Sequence, residues 1–167
     1  MGREVRRVPK DWQHPLNEDG HFLPMYDKDY DSAAEEWLQK CDAWRDGTHP
    51  DCAEYKADHR YYWDWSGNPP EQGYYRPVWT EEPTHYMMYE NTTEGTPISP
   101  AFATPEELAQ WLVDNGASAF GGETASYKGW LATVRGGYAP SAILDSVNGL
   151  RSGMDFAAED KPGRITQ

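Results

Sequence analysis

Four residues with metal-binding side chains stand close together in this chain: Cys41, His49, Cys52 and His59. Two thiolates and two imidazoles would suit a tetrahedral zinc ion. The spacing speaks against it. Structural zinc sites use ligands paired two to four residues apart, and only His49 and Cys52 come that close. Cys41 also falls on the apolar stripe of a helical pattern, which gives it a packing role. The four stand as a weak metal candidate, and the expectation is no metal and no cofactor. The stretch "DKDYD" sets Asp27, Asp29 and Asp31 at alternate positions, like the start of a calcium loop. The likeness ends there. Ser32 stands where the sharp-turn glycine belongs and Leu38 where the bidentate glutamate belongs.

Other catalytic patterns are equally thin. No G-x-S-x-G elbow occurs, and neither cysteine lies in a nucleophile signature. The glycine pairs in "FGGE" and "RGGY" lack the lysine or the G-x-G-x-x-G order of phosphate loops, so they read as turns or helix ends. The expectation is a protein that is not an enzyme. The alternatives are a minor virion or assembly protein, or a small enzyme with its site beside the aromatic segment described below.

Charge is the more informative feature. The chain has 167 residues and a formal charge of -13. Residues 1–10 carry +3, residues 11–82 carry -11, residues 83–123 carry -6 with no lysine or arginine, and residues 124–167 carry +1. Such a field disfavours direct nucleic-acid binding, which needs cations against phosphates. It favours encounter with a basic surface, so the expected partner is a protein. The candidate partner-binding residues are Glu90, Glu94, Glu106, Glu107 and Asp114, joined by Asp27, Asp29 and Asp31. No apolar run reaches the roughly 18 residues of a membrane helix, and no apolar stretch follows the basic N-terminus as in a signal peptide. With two cysteines, a disulfide framework is not expected, and the default setting is cytoplasmic.

The elements that would position these residues can be read in outline. The first thirty residues are broken by Pro9, Pro15, Gly20 and Pro24, with a short strand possible over residues 4–8. "DSAAEEWLQKCDAWRDG" predicts a helix with a Ser32–Glu35 capping box, a buried stripe of Ala34, Trp37, Leu38, Cys41 and Trp44, and Gly47 as its stop. Residues 48–82 form an aromatic, acidic lobe, with a helix over 53–65 before Pro69-Pro70. "THYMMYE" alternates as a strand, and Pro97 and Pro100 confine "TPISPAF" to a short edge piece. Thr104, Pro105, Glu106 and Glu107 form a helix start: cap, proline at the first position, carboxylates on the positive end. A last helix runs through "TASYKGWLATVRGG". The expected fold is α+β: about three helices on a small antiparallel sheet from residues 84–102 and 141–152, in one domain over 1–155, with a disordered tail over 156–167. The expected core is Trp37, Trp44, Tyr86, Met88, Leu108, Trp111, Leu112, Trp130, Leu131 and Ile143.

Three phrases carry a resemblance. "MGREVRRVPKDWQHP", "EGTPISPAFATPEELAQWLVDNGASAF" and "GGYAPSAILD" resemble a family of small uncharacterised proteins encoded by tailed phages and prophages. The likeness covers the first fifteen residues and about residues 83–153. Some relatives look like paired-cysteine zinc modules in the middle region; this chain has no C-x-x-C there, and zinc is not carried over. The resemblance implies a phage protein in the cytoplasm of an infected bacterium. It also implies an accessory role, binding and inhibiting or redirecting a host factor such as a CRISPR effector or another defence nucleoprotein complex, whose cation-lined groove an acidic face can occupy.

Overall fold

The computed structural model describes residues 2–91, 95–119, 122–140, 142–145 and 149–154. The fold is α+β, as expected, and the chain divides into two compact units, one made of Met1–Pro24 with Trp79–Gln167 and the other of Met25–Val78. The second unit begins well before residue 48, where the sequence placed its aromatic lobe, and takes in the first long helix.

The first unit is built on a four-stranded sheet: β1 (Gly2–Val8), β4 (His85–Glu90), β5 (Thr96–Pro97) and β6 (Tyr138–Pro140), in the order β5-β4-β1-β6. All neighbours are antiparallel, with Arg3 opposite Glu90 and Val5 opposite Met88. β5 is a two-residue edge strand, as its prolines require. The sheet differs from the expected one in its partners. β7 (Ala142–Asp145) and β8 (Gly149–Ser152) form a separate hairpin, and β1 supplies the central strand instead. β1 looks too charged for that place. Its arginines manage it by laying their planar heads on rings of β4: Arg7 lies 4.0 Å from the Tyr86 centroid and Arg6 4.3 Å from that of Tyr89.

Two helices cover one sheet face. α4 (Pro105–Asp114) begins as its sequence dictates, with Thr104 and Glu107 in a reciprocal capping box and Pro105 in the first turn. α5 (Tyr127–Gly136) is capped by Ser126 and stopped by Gly137, whose φ of 83° suits glycine. Met88, Leu108, Leu112, Trp130, Val134 and Met154 pack between them. Tyr86, Trp111 and Leu131 are only partly buried, at the margin of that core. On the opposite face Val8, Met87 and Tyr89 form a smaller cluster under Trp12 and Trp79.

In the second unit, β2 (Tyr26–Asp29) pairs in parallel with β3 (Tyr75–Arg76). α1 (Tyr30–Asp46) starts earlier than the expected Ser32 cap: Asp29 is the cap, and its carboxylate accepts from the Ser32 amide and hydroxyl. Gly47, at φ 76°, ends the helix as expected. In place of one helix over 53–65 there are two short ones, α2 (Cys52–Tyr55) and α3 (Tyr62–Ser66), then a 3₁₀ turn over Gln72–Tyr74. Trp44 is the centre of this unit, stacked on Trp65 at 5.2 Å and edge-on to Tyr62 at 5.9 Å. Leu38, expected in the stripe, is 58% exposed, and Trp37 and Cys41 are half-buried. No helix of the described residues is long and apolar enough to cross a membrane. Ile143's side chain and the tail over 156–167 lie outside what the structure describes.

Candidate functional site

The capping box at the start of α4 has a consequence for charge. With Leu108, Ala109 and Leu112 committed to the core, helical periodicity turns Glu106, Glu107, Gln110 and Asp114 outward. These four, with Phe102, Trp111, Tyr127 and His85, line an open groove. No lysine or arginine lines it among the described residues. Glu106 is partly compensated, because Arg135 of α5 donates to it at 2.6 Å. That hydrogen bond, more than the helix's own amides, holds the Glu106 carboxyl below its ordinary range. The Glu107 carboxylate accepts from the Thr104 backbone amide at 3.1 Å, and the Asp114 carboxylate accepts from the neutral Gln110 side-chain amide at 2.8 Å. Neither has an ion-pair partner among the described residues. The Phe102 and Trp111 rings lie 6.0 Å apart beside them. Carboxylates next to ring faces are suited to a guanidinium or ammonium group, which gains an ion pair and a cation–π contact together.

The other candidate acids are not gathered into this groove. Glu90 pairs with Arg3 across the β1–β4 ladder at 3.3 Å. Arg3 is 5% exposed and also donates to the carbonyls of Ser118 and Gly2, at 2.9 and 3.3 Å. Burial pulls its pKa below the ordinary arginine value, and the Glu90 charge opposes that fall. Glu90 is thus an internal counter-ion. Glu94 lies outside the described residues. In the second unit, Asp27 and Asp29 flank Arg76, with Nε 3.6 Å from Asp27 and Nη2 3.9 Å from Asp29. The Ser32 amide is the main reason the Asp29 carboxyl titrates below its usual range. Asp31 lies exposed in the first turn of α1.

The weak zinc candidates take separate places. His49 packs against the rings of Trp44 and Tyr62, the Cys52 thiol points to the Trp44 carbonyl at 3.7 Å, and the His59 carbonyl accepts from the Trp44 indole. Burial, and then the neighbouring Asp42, raises the Cys41 thiol's pKa, which makes it a poorer thiolate. Among the described residues no group of three or more histidines, cysteines and acids is placed to hold a metal. Part of the aromatic lobe is core and part is surface: Tyr62 is buried, whereas Tyr61 and Trp63 stack at 4.5 Å and are 42% and 46% exposed.

A second concavity, of about 530 Å³, lies over the other sheet face and was not anticipated from the sequence. Its floor is Met87 and its walls come from two distant phrases, Trp12 and His14 from "KDWQHP" and Pro97 to Ala101 from "TPISPA". His14 is 6% exposed and fully engaged. Its Nε2 donates to the Leu23 carbonyl at 2.6 Å, and its Nδ1 lies 3.1 Å from the Tyr89 hydroxyl. The Trp12 indole donates to the same hydroxyl at 3.3 Å. A carbonyl can only accept, so Nε2 carries the proton and Nδ1 accepts from Tyr89. Burial is the main cause that lowers the His14 pKa; the Leu23 hydrogen bond opposes it and the Arg6 charge adds to it. The signal that could have revealed this site is an aromatic and a histidine two residues apart, fenced by prolines on both sides.

Comparison of the chain with protein-family models, curated proteins and solved structures returned no match.

Proposed function

We propose that this chain is a non-catalytic binding protein whose α4 groove receives a basic segment of a protein partner. The observation that carries the reading is that uncompensated Glu107 and Asp114 line one groove with the rings of Phe102, Trp111 and Tyr127, with no lysine or arginine among the described residues that line it. The chain's charge of -13 adds long-range attraction toward such a partner. The resemblance to phage and prophage proteins supports the setting: an acidic accessory protein in the cytoplasm of an infected bacterium, acting on a host factor. A defence nucleoprotein complex, including a CRISPR effector, presents the complementary chemistry, because its nucleic-acid channel is lined with cations.

The test is affinity capture from host cells with the wild-type protein and with Glu107→Lys/Asp114→Lys, at low and high salt. The expected result is a specific host protein retained by wild type, released as salt rises, and lost in the double variant. Equal recovery by the variant refutes the groove. Incorporation into purified virions, with no host protein captured, refutes the host-factor reading in favour of an assembly role.

A further inference from the structure

We infer that the concavity over the Met87 face of the sheet is a binding site for a small organic anion with an apolar body. Its volume, about 530 Å³, falls within the roughly 300–1,000 Å³ typical of small-molecule sites. Its chemistry narrows the class. The buried polar side chains that line it are already satisfied: both His14 nitrogens are engaged, and the Ser99 hydroxyl accepts from the Met88 amide and donates to the Pro100 carbonyl, while Gln13, which also lines it, is exposed. A ligand that brought its own hydrogen-bonding groups into the interior would bury them unpaired, which is costly. The occupant's body must therefore be apolar. Leu16 and Phe22 stand at the rim, 53% and 47% exposed, so an apolar occupant would cover surface that is otherwise left to water.

The end group follows from charge complementarity. Lys10 is the lining residue with a charged side chain, and it has no ion-pair partner among the described residues. It belongs to the N-terminal segment, residues 1–10, that carries +3 in a chain of -13, and the Arg6 of that segment, on the same sheet face, is already paired with Glu4 and laid on the Tyr89 ring. A carboxylate or sulfonate at the mouth would meet Lys10 while its hydrocarbon lay against Trp12 and Phe22. Ala101 and Trp111 line both this site and the acidic groove, whereas Lys10 and Phe22 line this site and not the groove, so the Lys10 and Phe22 variants separate the two.

The paired probes are 8-anilinonaphthalene-1-sulfonate and N-phenyl-1-naphthylamine, which share an apolar body and differ in the sulfonate. Binding is read by fluorescence titration, with amide spectra confirming that each variant is folded. Wild type is expected to bind both probes at one saturable site in mutual competition. Lys10→Gln should weaken the sulfonate about 2–5-fold, the worth of one exposed charge pair, and leave the amine unchanged. Ala101→Trp, which fills the concavity, should weaken both by more than about tenfold. If that variant fails to fold, Phe22→Ala at the exposed rim should still weaken both. Unsaturable binding, equal loss of both probes in Lys10→Gln, or unaltered binding in a folded Ala101→Trp or Phe22→Ala overturns the proposal.

Discussion

Replacing His14 by phenylalanine tests the arrangement that holds the N-terminal segment on the sheet. The ring shape is kept, and the two hydrogen bonds, to the Leu23 carbonyl at 2.6 Å and the Tyr89 hydroxyl at 3.1 Å, are lost. Tyr89 keeps the Trp12 indole as a donor and can turn its own proton toward the Met87 sulfur, 3.4 Å away. The Leu23 carbonyl loses its imidazole donor, and an acceptor left unpaired in a buried setting costs about 1–3 kcal/mol. The expected destabilisation at pH 7.5 is therefore about 2 kcal/mol, read by urea unfolding with hydrogen exchange followed on β1 and β4. The pH dependence is the sharper readout. Because burial lowers the His14 pKa in the folded state, the unfolded chain binds more protons there than the native one as pH falls through about 6.5. Stability is then fully present above that value and declines as pH drops toward the folded pKa, with a slope of at most about 1.4 kcal/mol per pH unit for one proton. Protonation would place a hydrogen on Nδ1, reverse the Tyr89 hydroxyl and set a second cation near Arg6. His14→Phe should remove this slope between pH 7 and 5.5 while lowering stability at pH 7.5. An unchanged slope in the variant, or a His14 Cε1 proton resonance titrating above pH 6.5, refutes the reasoning.

Thr104→Ala removes the hydroxyl that accepts from the Glu107 amide and should cost about 1 kcal/mol, seen as faster amide exchange in the first turn of α4. Glu90→Gln strips Arg3 of its carboxylate and should cost about 1–2 kcal/mol, between an exposed and a fully buried pair, by urea unfolding. Adding Arg3→Met to Glu90→Gln should recover part of that loss, since the uncompensated buried charge is then gone. Trp44→Ala should cost about 3–5 kcal/mol in the Met25–Val78 unit, through the lost ring volume and the lost donor to the His59 carbonyl, and should remove exchange protection from α1.

The legible parts of the chain were those written in local chemistry. Thr104 to Glu107 announce a helix start because a cap, a proline and two carboxylates act within one turn. Pro97 limits its strand because it has no amide hydrogen to give. Gly47 ends α1 because the left-handed turn there favours glycine. The N-terminus of α1 was less clear, since Asp29 and Ser32 are both good caps and only the backbone decides between them. Leu38 was misjudged for a related reason: periodicity marks a stripe, but not how far neighbouring segments extend to cover it.

Local sequence, then, determined the three long helices, the short edge strand and the acidity of the outward face of α4, but not the division of residues 53–65 between two short helices. It did not determine which strand lies at the middle of the sheet, because β1 owes its place to β4, some 80 residues away, whose rings receive its arginines. Nor did it sort the acids into internal counter-ions and free charges: Glu90 and Glu107 look alike in sequence, and only one faces a buried guanidinium. The apolar concavity was the least legible feature, since Trp12 and Pro100 become neighbours in one wall only after long-range pairing brings their segments to the same face. Propensities and caps act over a turn, whereas burial, ion pairing and cavity shape are properties of contacts between segments that the chain order keeps apart.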